Sequence, residues 1–163
     1  MKTAGKTNDN QLSTGDKAPA FEMPINGGGV ISTATLAGKN YVLYFYPRDD
    51  TPGCTTEAKD FRDNLAKFEK LNTVIIGVSK DSVKSHDKFA EKYCLPFPLA
   101  SAENTSICED YSVWKEKMNY GKSYMGIERS TFLIDKNGII RQIWRKVKVD
   151  GHANAVLEAV KGL

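Results

Sequence analysis

The chain has 163 residues, 40% hydrophobic and 26% charged, with a formal net charge of +3. That is the length of one ordinary globular domain, long enough to bury a core without staples, and the composition excludes collagen-like, low-complexity and wholly disordered classes. So small a net charge does not point to nucleic acid, three cysteines are too few for a disulfide scaffold, and no apolar run approaches the roughly 20 residues of a membrane span.

Residues 1–14 are polar and lack the apolar core of a secretory signal, which predicts a flexible tail on a cytoplasmic protein. Residues 15–163 are expected to form a single domain. Asn26-Gly27-Gly28-Gly29 is a turn cluster leading into a short strand, Val30 to Ser32. Its glycines lack the following strand-to-helix transition of a phosphate loop, so a hairpin is expected. Tyr41 to Tyr46 is an almost continuous run of aromatic and branched residues, the composition of a strand buried on both faces. Pro47 ends it, because proline cannot donate to a ladder.

A loop follows from Arg48 to Gly53, and then a helix in which Phe61, Leu65, Phe68 and Leu71 share a face. Thr73 to Val78 reads as a second buried strand, and Asp81 or Ser82 can cap the next helix. There Val83, His86, Phe89, Ala90 and Tyr93 fall together. Two prolines hold Leu95 to Leu99 extended, and Thr105 to Tyr111 reads as a short helix. Thr131 to Ile134 and Ile139 to Trp144 are strands joined by Asp135-Lys136-Asn137-Gly138, with the Asn-Gly hairpin signal. Ala153, Val156, Leu157 and Val160 mark a last helix. The order predicts an α/β fold of thioredoxin-like arrangement, a mixed central sheet with helices on both faces.

The chemistry is concentrated between Tyr46 and Glu57. A buried strand stops, a Pro- and Gly-bearing loop turns, and a helix begins near Cys54. The first turn of a helix presents unpaired N–H groups and the positive end of its dipole, and both stabilise a thiolate, the nucleophilic form of cysteine. Thr51 lies three residues earlier, close enough to set a hydroxyl beside the sulfur, where it can orient a small polar substrate. On the residues alone, a reactive Cys54 and an inert thiol buried at a helix start stand level.

The spacing of Pro47, Thr51 and Cys54 is similar to the active-site motif of the peroxiredoxins. The fuller run from Tyr44 to Glu57 resembles the bacterioferritin comigratory, or Q-type, subfamily. The resemblance extends through Gly15 to Phe21, Asp81 to His86, and Glu128 to Asp135. It implies a thiol peroxidase that reduces hydrogen peroxide and organic hydroperoxides without metal or organic cofactor. Cys54 would attack the peroxide and become a sulfenic acid. Thr51 would hydrogen-bond the peroxide and the sulfur, Arg129 would stabilise the developing charge, and Pro47 would shield the pocket. Glu57 matches a position that helps orient the arginine. Taken alone, Arg129 would read as a solvated surface charge.

The two resolving positions of the subfamily correspond here to Lys59 and Ala90, neither of which carries a thiol. Three readings stay open. The leading one is a one-cysteine cycle in which an external thiol or thioredoxin reduces the sulfenic acid. The others are a disulfide of Cys54 with Cys94 after unwinding of the first helix, and a disulfide with Cys108 or between chains. Cys108 otherwise reads as a small buried hydrophobe. His86 and His152 read as packed or half-exposed helical histidines rather than proton shuttles, Arg145 to Lys148 as a solvated basic edge suited to an acidic reductant, and Trp114 and Trp144 as packing residues. No nucleic-acid or membrane partner is expected, and the resemblance suggests a monomer. A disulfide oxidoreductase lacks its CxxC pair, and a non-enzymatic holdase on the same fold is the alternative of another class.

Overall fold

The apolar run before Pro47 forms the strand its composition calls for, and the rest of the molecule is arranged around it. The computed structural model describes residues 11–163, so the first ten residues of the expected tail lie outside the described residues. In chain order the elements are β1 (Glu22–Ile25), β2 (Gly29–Ser32), β3 (Asn40–Phe45), α1 (Pro52–Lys70), β4 (Thr73–Ser79), α2 (Val83–Tyr93), β5 (Leu99–Ser101), α3 (Ile107–Asp110), β6 (Trp114–Asn119), β7 (Lys122–Ile127), β8 (Ser130–Ile134), β9 (Ile140–Arg145) and α4 (His152–Lys161).

Seven strands form one mixed sheet in the order β2-β1-β5-β4-β3-β8-β9. The pairs β3–β4 and β4–β5 are parallel, as crossover helices require, and β3–β8 and β8–β9 are antiparallel. Alternation along β3 sends side chains into two cores. Tyr41, Leu43 and Phe45 join Tyr111 and Phe132 on one face. Val42, Tyr44 and Tyr46 join Phe61, Phe89 and Val156 on the other. Each such buried side chain contributes roughly 1.5–3 kcal/mol of transfer free energy.

Helices lie on both faces, but unequally. The long helices α1, α2 and α4 all contribute to the second core. The first core is closed by one-turn α3, through Ile107 and Cys108, and by the segment carrying Ala18, Phe21 and Met23. Among the described residues, no helix is long and apolar enough to cross a membrane.

The hairpin β6–β7 forms a separate two-stranded sheet that the sequence reading passed over. Its strands are half-exposed or exposed along most of their length, so no apolar alternation marks them. The turn is only half encoded: Tyr120 and Gly121 both have positive φ, 53° and 79°, the backbone of a tight hairpin, which suits the glycine but not the tyrosine.

Candidate active site

Helix α1 begins at Pro52, with Thr51 as its N-cap, two residues before the expected start near Cys54. Proline at the first helical position has no N–H to leave unpaired, so the free amides of this first turn belong to Gly53 and Cys54. The buried residues Cys54, Glu57, Ala58 and Phe61 follow the i, i+3, i+4, i+7 pattern of one helix face. Glu57 is thus placed inward by periodicity. A carboxylate within an apolar stripe was the signal available in the sequence.

Arg129 comes from far away in the chain. The β3–β8 register pairs Phe45 with Ser130, which sets Arg129 beside the point where β3 gives way to the Pro47 loop. Its Nη1 donates to Glu57 Oε1 at 2.6 Å and its Nη2 to Cys54 Sγ at 3.4 Å. The guanidinium is mostly buried in this ion pair, not the solvated surface charge that Arg129 taken alone suggests. A Cβ added to Gly53 would lie 3.1 Å from Arg129 Nη2, so a bare glycine lets the guanidinium come close. That role was not read from the sequence.

The Glu57 carboxyl is pushed up to about 7 by burial, against the pull of Arg129. Its Oε2 is buried without a hydrogen-bond partner, as is the hydroxyl of neighbouring Tyr44. Burial, and then the Arg129 charge, push His152 down to about 4, so this histidine is neutral near pH 7. It hydrogen-bonds Thr131 Oγ1 and packs edge-on against Phe61 and Trp144, the packed role expected of it.

The Thr51 hydroxyl donates to the carbonyl oxygen of Arg48 at 3.0 Å, so its proton goes to the loop backbone and its lone pairs remain for a ligand. Pro47, Arg48 and Thr51 line one side of a cleft of about 430 Å³. The opposite side is Trp114, Lys117, Tyr124, Met125, Gly126 and Ile127 of the β6–β7 hairpin. Trp114 packs against the first core, as expected of it, and also borders the cleft, with Lys80 Nζ 4.3 Å from its ring centroid. Cys54 itself is 1% exposed.

The loop between Pro47 and Thr51 is fastened to both ends of α2. Asp49 accepts from Tyr46 Oη at 2.6 Å and Ser85 Oγ at 2.7 Å, and contacts His86 Nδ1 at 2.7 Å. His86 Nε2 faces the Ala100 carbonyl at 3.0 Å, and Ser82 caps the helix by accepting from Ser85 N–H. Asp50, at φ 60°, accepts from Lys92 Nζ and Tyr93 Oη, both at 2.8 Å. Ligating atoms of Asp49, Asp81 and His86 lie within 4.8 Å of one another, the spacing of a metal site. They are engaged by Tyr46, Ser79, Ser85, the Asp49 amide and Ala100, which makes the cluster a hydrogen-bonded strut.

The remaining candidates separate clearly. Cys94 is exposed and ends α2 in the left-handed conformation, φ 53°. Cys108 is fully buried, and burial pushes its thiol up to about 12. Arg145 departs from the solvated edge expected of it: it donates to the carbonyls of Ser112 and Tyr111 and lies over the Phe132 ring.

Residues 14–143 match the AhpC/TSA family. Peroxiredoxin Bcp of Bacillus subtilis is 51% identical over 152 residues, 93% of this chain and 97% of that protein. The bacterioferritin comigratory protein of Xanthomonas campestris, solved as trapped intermediate and ligand complexes and described for its alkyl peroxide reduction activity, superposes with a TM-score of 0.83. It is 49% identical, over 87% of this chain and 90% of that one. A PrxQ mutant from Xylella fastidiosa superposes with a TM-score of 0.89 at 40% identity, over 93% of this chain and 97% of that one.

Proposed function

The chain belongs to the AhpC/TSA family and is a peroxiredoxin of the Bcp group, a thiol peroxidase that takes electrons from a thiol reductant; from that premise we propose that Cys54 is its peroxidatic residue, acting within residues 15–163 as one domain. The observation that carries this assignment is the Glu57–Arg129–Cys54 chain at the start of α1, with a guanidinium Nη2 3.4 Å from the sulfur.

In this reading the Cys54 thiolate attacks one peroxide oxygen and the O–O bond breaks. Sulfur is oxidised by two electrons to the sulfenic acid, and the other oxygen leaves as alkoxide or hydroxide and takes up a proton. Negative charge moves from sulfur onto the departing oxygen. Arg129, fixed in advance by Glu57, faces that charge without reorganising. Thr51 accepts a hydrogen bond from the peroxide hydroxyl, and Pro47 keeps bulk water from the sulfur. The enzyme works in the reducing cytoplasm, a reading supported by three free thiols, and as a monomer, a reading supported by the Q-type resemblance.

A one-cysteine cycle closed by an external thiol or thioredoxin is supported by the lack of a thiol at Lys59 and Ala90. One observation favours a second reading, with Cys94 as resolving residue. Tyr93 holds the chain on both sides of Cys54: its hydroxyl donates to Asp50, and its carbonyl accepts from Arg62 Nη1 at 2.7 Å. Four residues run from Asp50 to Cys54 and eight from Cys54 to Arg62, extended reaches of about 14 and 28 Å. Unwinding the start of α1 between these anchors would bring Cys54 to Cys94. Intact mass after one equivalent of hydrogen peroxide tests both readings. One added oxygen that persists on Cys54 supports the one-cysteine cycle. Loss of two hydrogens that disappears in Cys94→Ser makes Cys94 the resolving residue. No change at Cys54 overturns the assignment itself.

A further inference from the structure

The β6–β7 hairpin is the least economical surface of the molecule. Six large apolar side chains are exposed among the described residues, and four of them sit here: Met118 (67%), Tyr120 (96%), Tyr124 (49%) and Met125 (49%). Tyr120 is an almost fully exposed aromatic at positive φ, where a small polar residue or glycine would serve the turn better. Local rules broken together on an exposed surface point to a function.

The pairing register sorts the hairpin into two faces. Met118 and Met125 lie on one, with Trp114 and Ile127. Lys115, Lys117 and Lys122 lie on the other, with Tyr124. Both faces contribute to the cleft that Pro47, Arg48 and Thr51 line. Trp114, Met125 and Ile127 of the first and Lys117 and Tyr124 of the second line the cleft opposite Pro47 and Thr51. Lys117 is near enough to Arg129 and Cys54 to sense both charges. Arg48 and Lys80 add positive charge on the same cleft; its one acidic lining residue, Asp81, accepts from Ser79 Oγ and the Asp49 amide.

We infer that the β6–β7 hairpin is the docking surface for an acidic dithiol protein that reduces oxidised Cys54. The inference rests on the one-cysteine reading, in which the reductant must approach this mouth. Methionines and tyrosines suit a flat apolar partner surface, since methionine adapts its shape and tyrosine adds area at low entropic cost. The lysines select an acidic rim and steer its approach. A second copy of this chain is a poor occupant, because a two-fold contact through this patch would set lysines against lysines. On the docked partner, one thiolate attacks the Cys54 sulfenic sulfur, forming a mixed disulfide as the S–O bond breaks and hydroxide leaves, taking up a proton from solvent to become water. The partner's second thiolate then attacks its own sulfur in that bond, freeing Cys54 as thiolate and leaving the partner with an internal disulfide. Two electrons pass from partner to sulfur.

The test compares two reductants on the full chain: thioredoxin, kept reduced by its reductase and NADPH, and dithiothreitol. The variants are Met118→Ser with Tyr120→Ser, and separately Lys122→Glu, all outside the cleft lining. With dithiothreitol, both should consume peroxide within twofold of the wild-type rate. With thioredoxin, kcat/KM for thioredoxin should fall at least tenfold, mainly through KM. The wild-type value should also fall as ionic strength rises. Thioredoxin kcat/KM within twofold of wild type in both variants overturns the inference. So does a raised KM for hydroperoxide with dithiothreitol, which would assign the hairpin to the substrate. A wild-type dimer in sedimentation that the variants dissociate would make a second copy the occupant. Absence of wild-type turnover with both reductants would strike the peroxidase reading itself.

Discussion

Cys54 and Cys108 are equally buried, at 1% and 0% exposure, and are set in opposite surroundings. Cys108 packs in the core beneath β3 with Phe45, Tyr111 and Phe132, and burial holds its proton firmly, up to about 12. Cys54 lies on the other side of the sheet, at the first turn of a long helix, with a guanidinium at 3.4 Å. Withdrawal from water disfavours a thiolate; fixed positive charge and free helix amides favour it. The lesson of the pair is that reactivity follows from which dipoles and charges share the burial.

The largest effect should come from exchanging the two roles. Cys54→Ser is expected to abolish hydroperoxide reduction, whereas Cys108→Ala should leave the rate within twofold; a peroxide-consumption assay on both decides it. Next is the charge that separates them. Arg129→Lys keeps a cation but loses the fork that spans Glu57 and the sulfur, and kcat/KM for hydroperoxide should fall by roughly 10²–10³-fold, as for loss of a preorganised donor.

A smaller and more diagnostic effect is expected at Gly53. In Gly53→Ala the new methyl meets Arg129 Nη2 at 3.1 Å and displaces it by a few tenths of an ångström. Activity should drop about tenfold, while urea unfolding should show stability unchanged or up to ~1 kcal/mol higher, because alanine restricts the unfolded chain. Loss of both together would mean that the helix, and not the arginine, had been disturbed.

The smallest effect is a pH dependence. Folding raises Glu57 from an ordinary 4.5 to about 7. In that interval the folded state keeps a proton that the unfolded chain has released, so this group weakens the fold as pH rises from about 4.5 to about 7. His152 acts oppositely: lowered from 6.5 to about 4, it weakens the fold as pH falls through that range. The two contributions offset each other near pH 5–6. Glu57→Gln removes the first, so its stability relative to wild type should improve by on the order of 3 kcal/mol between pH 4.5 and pH 8. Urea midpoints at the two pH values measure it; a constant difference would mean that Glu57 does not change ionisation on folding.

Much of this was legible in short stretches of chain. The doubly buried strand at 41–46, the helix faces around Phe61 and Val156, the Asn137-Gly138 turn and the loop that presents Cys54 all depend on neighbours within about one turn or one hairpin. The β6–β7 hairpin escaped because its strands are wet on both sides, so burial leaves no alternation to read. Arg145 escaped because its carbonyl acceptors, Ser112 and Tyr111, lie more than thirty residues away.

The same division runs through the active site. Pro47, Thr51, Cys54 and the inward face of Glu57 are local, set by backbone limits and helical periodicity, and they follow from the order of the residues. Arg129 is 75 residues from Cys54, and only the pairing of Phe45 with Ser130 delivers it to the sulfur. Tyr93 likewise clasps Asp50 and Arg62 only because the fold brings the C-terminal end of α2 to the Asp50 loop and to Arg62 of α1. Periodicity reports which way a side chain faces; which distant charge it meets there depends on strand order and register, which the whole chain settles at once.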